Sequence, residues 1–122
     1  MPTSLEVVND YYEATNNKKD PDAAAALLRE DFVFAGPLMK VEGKEANIEL
    51  LKRFLPMHRE TRMHKQFVEG EHVCSIYDLV VSNPAGGTIT MPIADWMRVE
   101  DGKVAEQTIY YDPREFSKAF GV

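Results

Sequence analysis

This chain cannot form an internal disulfide, because it has a single cysteine, Cys74; a reducing compartment is therefore expected. No apolar stretch approaches the roughly 18 residues that a membrane-spanning helix needs. The opening Met1-Pro2-Thr3-Ser4 has neither a basic segment nor an apolar run, so no signal peptide is expected and the cytoplasm is the expected location. Positive charge is in short supply: 14 Lys and Arg stand against 20 Asp and Glu, a formal net charge of −6. Such a surface repels phosphate backbones and anionic lipid, which argues against nucleic acid or membrane partners. The three histidines, His58, His64 and His72, are scattered, and no His/Cys cluster has metal-ligand spacing. No glycine-rich loop follows a strand as a phosphate cradle would. Neither a metal nor a cofactor is therefore expected.

What is present describes a globular chain. Its 122 residues suit one domain, 1–122, with 44% hydrophobic and 28% charged residues. Thr3 followed by Glu6 is a capping box, opening a helix with Leu5, Val8, Tyr11 and Tyr12 on its apolar face. Asp20-Pro21 opens a second helix, filled by Ala23 to Leu28. Phe32-Val33-Phe34 is a short strand, broken by Gly36-Pro37, and Leu38 to Val41 form another. A third helix follows Gly43, carries Ile48, Leu51 and Leu55 on one face, and stops at Pro56. Four longer strands follow, over about 60–68, 72–82, 88–99 and 103–111, divided by turn signals at 69–71, 83–87 and 100–102. Short connections pair them as an antiparallel meander. Asp112 and Glu115 read as the capping box of a final helix. Long strands coil, so the predicted fold is α+β: a cone-shaped curved antiparallel sheet wrapped around N-terminal helices and a small apolar pocket.

Alternation along the 88–99 strand singles out one residue. One face carries Ile89, Met91, Ile93, Asp95, Met97 and Val99; the other carries Thr88, Thr90, Pro92, Ala94, Trp96 and Arg98. A carboxylate on an apolar stripe must be paired, hydrogen-bonded or protonated. Asp95 therefore either fixes a core through a buried donor or works as an acid in a pocket. The preceding strand is apolar on both faces: Cys74, Ile76, Asp78 and Val80 on one, Val73, Ser75, Tyr77, Leu79 and Val81 on the other. Asp78 is expected opposite Asp95 or one diagonal away, as a second carboxylate sharing the apolar space, or else as a solvated edge residue. Tyr11 and Tyr12 sit where the first helix would cover the cone. His64 shares a strand with Arg62 and Gln66 and is a surface residue unless the strand parity turns it inward.

Helices, short strands, a helix and a long meander, in that order, resemble the nuclear-transport-factor-2-like superfamily. Within it the chain looks like the SnoaL-like polyketide cyclases, the steroid delta-isomerases and the limonene-epoxide hydrolases. The resemblance covers nearly the whole chain. It is carried by Val7-Val8-Asn9-Asp10-Tyr11, Phe34-Ala35-Gly36-Pro37-Leu38, Pro92-Ile93-Ala94-Asp95-Trp96-Met97-Arg98-Val99, Asp101-Gly102-Lys103-Val104 and Tyr110-Tyr111-Asp112-Pro113-Arg114-Glu115-Phe116. It implies that Tyr11 and Asp95 correspond to the isomerases' oxyanion-hole tyrosine and aspartic acid, and Asp95 also to the cyclases' acid/base aspartate. The neutral carboxylic acid of that isomerase is itself a standard worked case of an apolar site raising a pKa. The isomerases' general base falls on Gly36. Asp78 matches the catalytic acid of the epoxide hydrolases, but their arginine, water-holding aspartate and asparagine fall on Ile76, Ile109 and Ala35, which argues against that chemistry.

Three readings follow. The first is a cofactor-independent acid/base enzyme of isomerase, cyclase or lyase type acting on a small, largely apolar carbonyl-containing ligand. Asp95, Tyr11 and Asp78 would act in it, with Phe34, Met91, Ile93, Met97, Ile109 and Tyr111 lining the pocket. The second is a ligand-binding module without turnover, and the third a dimerisation domain. All three carry the expectation of a homodimer through the outer sheet face, formed by Tyr77, Leu79, Val81 and Trp96.

Overall fold

The computed structural model describes residues 2–122. Helix α1, Ser4–Tyr12, starts as its sequence requires: the Thr3 side chain accepts from the Glu6 amide and Glu6 reaches back to the Thr3 amide. It buries Val7, Val8, Tyr11 and Tyr12, then widens into a π-helical turn, Glu13–Asn17. Helix α2 is shorter than expected. It spans Pro21–Ala25 under an Asp20 cap, and Leu28 already belongs to strand β1, Leu28–Ala35. An alanine-rich segment favours helix locally, but Leu28 and Phe32 are needed in the sheet, where both are almost wholly buried. Strand β2, Lys40–Glu42, follows a turn closed by the Gly36 amide on the Met39 carbonyl. Helix α3 is Lys44–Phe54, ending just ahead of Pro56.

The meander is β3, His58–Glu69; β4, His72–Ser82; β5, Thr88–Glu100; and β6, Lys103–Tyr110. Helix α4, Arg114–Phe120, closes the chain. Pro113 occupies its cap position, and Asp112 accepts from the Arg114 amide at 3.0 Å, so the expected Asp112–Glu115 box is replaced by a simpler turn. The six strands form one curved, unclosed sheet in the order β2-β1-β6-β5-β4-β3. Every pairing is antiparallel except β1 with β6, which is parallel. The α+β cone is as the sequence pattern implied, with that one departure from a pure antiparallel sheet.

Register decides which side chains meet. Asp95 pairs with Ser75, Ile93 with Tyr77, Met91 with Leu79 and Ile89 with Val81. These residues face the concave side, where α1 packs with Phe32, Val73, Met97 and Val104 to build the core. Asp78 pairs with Pro92, and Cys74 with Trp96, on the convex side. Two expectations are thereby corrected. Asp78 lies behind the sheet from Asp95, and Tyr77, Leu79 and Val81 point into the cone rather than toward a partner. Of the four expected interface residues, only Trp96 is convex. A shift of one residue in register moves every side chain to the other face, and both faces of β4 are apolar enough to serve as either.

Candidate functional site

The concave face and the helices over it enclose a cavity of about 590 Å³. Its walls are Phe34, Met91, Ile93, Ile109 and Tyr111 from the sheet, Leu51 and Phe54 from α3, and Phe116 and Phe120 from α4. Five of the six expected lining residues are there. The sixth, Met97, shares their face but is fully buried in the core beneath α1, away from the cavity.

Asp95 stands at the inner end of this cavity with 0% of its surface exposed. The Tyr77 hydroxyl donates to its Oδ2 at 2.8 Å. Gln107 Nε2 donates to the same oxygen at 3.0 Å and to Oδ1 at 3.2 Å. These donors favour the anion, while burial favours the acid. Burial is the larger effect, and the carboxyl is pushed up to about 6. Of the alternatives that the apolar stripe left open for Asp95, paired, hydrogen-bonded or protonated, the structure shows a carboxyl hydrogen-bonded by a buried tyrosine and a buried amide. At neutral pH it is mostly ionised, with a proton affinity suited to taking and returning a proton.

Tyr12 supplies the other unusual group. Its ring meets Tyr77 edge-on, with centroids 5.9 Å apart, and its hydroxyl lies near Asp95 and Ser75. It is the single buried side-chain polar atom among the described residues with no hydrogen-bond partner. A buried hydroxyl left unpaired costs about 1–3 kcal/mol, which a ligand oxygen would recover. Burial, reinforced by the Asp95 charge, raises the Tyr12 phenol, so it stays a donor. Tyr11 also lines the cavity, but its hydroxyl accepts from Asn47 Nδ2 at 3.2 Å rather than bonding Asp95. Burial raises its phenol as well.

Asp78 does not enter the cavity; on the convex face its Oδ2 lies 3.0 Å from His64 Nε2. Gly36 lies at the cavity wall, and a Cβ there would come within 3.1 Å of Ile109 Cγ1. A side chain on Gly36 would press on Ile109, which would have to give by a few tenths of an ångström. Tyr77, Gln107 and Asn47 escaped the sequence reading. Gln107 had a visible signal: it is the polar interruption of the apolar series Ala105, Ile109 and Tyr111, as Asp95 is of its own. Tyr77 had none, because its face depends on register alone.

A curved sheet of this topology wrapped around N-terminal helices is the nuclear-transport-factor-2-like fold. Residues 8–107 match the family model described as the SnoaL-like domain, and the chain belongs to that family. Among solved structures, an NTF2-like protein of unknown function from Cytophaga hutchinsonii is 29% identical, with a TM-score of 0.81 over 95% of this chain and 96% of that one. A putative SnoaL-like polyketide cyclase from Shewanella denitrificans is 19% identical, with a TM-score of 0.79 over 99% and 98%. A protein with a ketosteroid isomerase-like fold from Catenulispora acidiphila, solved with trimethylamine, is 18% identical, with a TM-score of 0.78 over 96% and 93%. The last two likenesses concern the fold alone. No curated protein matches the chain significantly. Among the described residues no helix is long and apolar enough to cross a membrane.

Proposed function

We propose that this protein is a cofactor-independent acid/base enzyme of isomerase or cyclase type, acting on a small, largely apolar ketone. The observation that carries the reading is the juxtaposition, in an apolar cavity, of a buried carboxylate near pKa 6 and an unpartnered phenol. Asp95 is the base that Gly36 cannot be. Its carboxylate takes a proton from the carbon next to the ligand carbonyl, leaving an enolate. The Tyr12 hydroxyl donates to the enolate oxygen, with Tyr11 as a second donor. The protonated Asp95 then returns the proton to another atom of the same ligand, so the reaction balances without a co-reactant. Asp95 has no exposed surface, so ligand entry turns the Tyr12 hydroxyl away from the carboxylate and onto the ligand oxygen. Tyr12 has no hydrogen bond to lose in that move.

The experiment is α-proton exchange in D2O over a panel of aromatic and cyclic ketones, followed by proton NMR. Exchange catalysed by the native protein and lost in Asp95→Asn supports the assignment. Equal exchange by both proteins, or none by either, refutes it and leaves the binding-module reading. The family membership supports a small-molecule site of this kind. We also propose a homodimer through the convex face, where Trp96 and Ile76 lie between Phe67, 58% exposed, and Tyr110, 61% exposed.

A further inference from the structure

The cavity has a second polar end, which the mechanism above does not use. Beyond the π turn the chain reverses at Lys19, whose φ of 50° lies in the left-handed region that a non-glycine residue occupies only when held there. The Asp20 amide donates to the Ala14 carbonyl at 2.9 Å, and Lys19 Nζ donates to the His58 carbonyl at 3.0 Å and to His58 Nδ1. An ammonium is only a donor, so Nδ1 is the bare ring nitrogen and the imidazole proton sits on Nε2. Burial, with the Lys19 charge, pushes His58 down to about 4, so the ring is neutral at neutral pH. Nε2 lies 2.8 Å from Thr61 Oγ1 and donates to it. The Thr61 oxygen is thus engaged as an acceptor, and its own proton has no acceptor among the described residues. Thr61 pairs with Leu79 and lines the cavity.

We propose that Thr61, set by the Lys19–His58 pair, is a second ligand-binding donor, and that the ligand is an elongated, largely apolar molecule with a carbonyl-type oxygen at each end. One oxygen meets Tyr12 beside Asp95 and the other meets Thr61. Asp95 and Thr61 are separated by the four residues from Ser75 to Leu79 along β4 and by two strand spacings, on the order of 15 Å between backbones measured along the curved sheet. That span suits a two-ring molecule better than a single ring. The inference rests on the reading that the cavity holds a carbonyl ligand at its Asp95 end. Lys19 and His58 are positioning residues.

The probes are 4-acetylbiphenyl, with one acceptor, and 4,4′-diacetylbiphenyl, with one at each end, measured by isothermal titration calorimetry. The native protein is expected to bind the second about 5-fold more tightly, the yield of one added neutral hydrogen bond. Thr61→Val erases that preference and Thr61→Ser keeps it. Nitrogen-15 NMR finds the His58 proton on Nε2 in the native protein, and Lys19→Met gives a tautomer mixture with a smaller preference. Equal binding of the two probes by the native protein, binding of neither, a preference surviving in Thr61→Val, or a native His58 protonated on Nδ1 overturns the proposal. Tyr12→Phe separates this from the mechanism. It is expected to weaken both probes by the same factor; unchanged affinities would sink the Tyr12 role while a native preference still upholds Thr61.

Discussion

Replacing Asp95 by asparagine is expected to stabilise the protein at neutral pH while removing its proton-transfer chemistry. Asparagine has the same shape. Its oxygen can still accept from Tyr77, and the Gln107 amide can turn its oxygen toward the new NH2. What disappears is a buried charge. Burial raises the Asp95 carboxyl from an ordinary 3.8 to about 6, against the opposing donors Tyr77 and Gln107 and the nearby Tyr12 hydroxyl. Between those values the folded state holds a proton that the unfolded chain releases, so folding stability falls as pH rises from about 4 to 6 and stays lower above. At about 1.4 kcal/mol per pH unit, the ionised group lowers stability by about 3 kcal/mol at pH 7. For a chain of this length that corresponds to roughly 10 °C in Tm. The assay is urea and thermal unfolding of both proteins in half-unit steps from pH 3.5 to 8. His58 titrates in the same window with the opposite sign, since burial lowers it to about 4 and its charging favours the unfolded chain. That contribution is common to both proteins and cancels in their difference. The advantage of the variant should therefore grow from pH 4 to pH 6–7 and then level off. A difference that is flat across this range, or that shrinks, would refute the account of Asp95.

Four further outcomes are expected. Tyr77→Phe removes the 2.8 Å donor to Asp95, so the carboxyl should climb from about 6 to roughly 7 or higher, read by carbon-13 NMR of the side chain. Tyr12→Phe should raise the unfolding free energy in urea by about 1–3 kcal/mol, because a buried hydroxyl without a partner is removed, yet slow ketone exchange; a loss of stability would show that the hydroxyl is satisfied. Gly36→Asp should destabilise by about 1–3 kcal/mol through the clash with Ile109 and should not rescue Asp95→Asn; restored exchange would contradict the steric argument. Trp96→Glu on the convex face should convert a dimer to monomers by sedimentation at micromolar concentration, and a native protein that is already monomeric would remove the proposed interface.

The α+β order of elements, the three hairpin turns of the meander, and the place of Asp95 on an apolar face are legible along the chain. These are local properties: a capping box, turn residues, and a period of two along one strand. The same reasoning placed Phe34, Ile109 and Tyr111 on the cavity wall, where they lie. What Asp95 touches is set by the packing of strands and helices against one another. β4 offers two apolar faces, and nothing along that strand says whether Tyr77 or Asp78 turns inward. That choice depends on how the hairpin to β5 closes, and the pairing of Ser75 with Asp95 puts the tyrosine inside and the second carboxylate outside. Likewise, Leu28 reads as the end of a helix until β6 is present to pair with it. Lys19, His58 and Thr61 are unremarkable at their separations in the chain, and become a connected group only when the π turn brings the end of α1 against the start of β3. A period is written in the sequence one strand at a time; register and long-range hydrogen bonds belong to pairs of elements, so they appear only when the chain has folded.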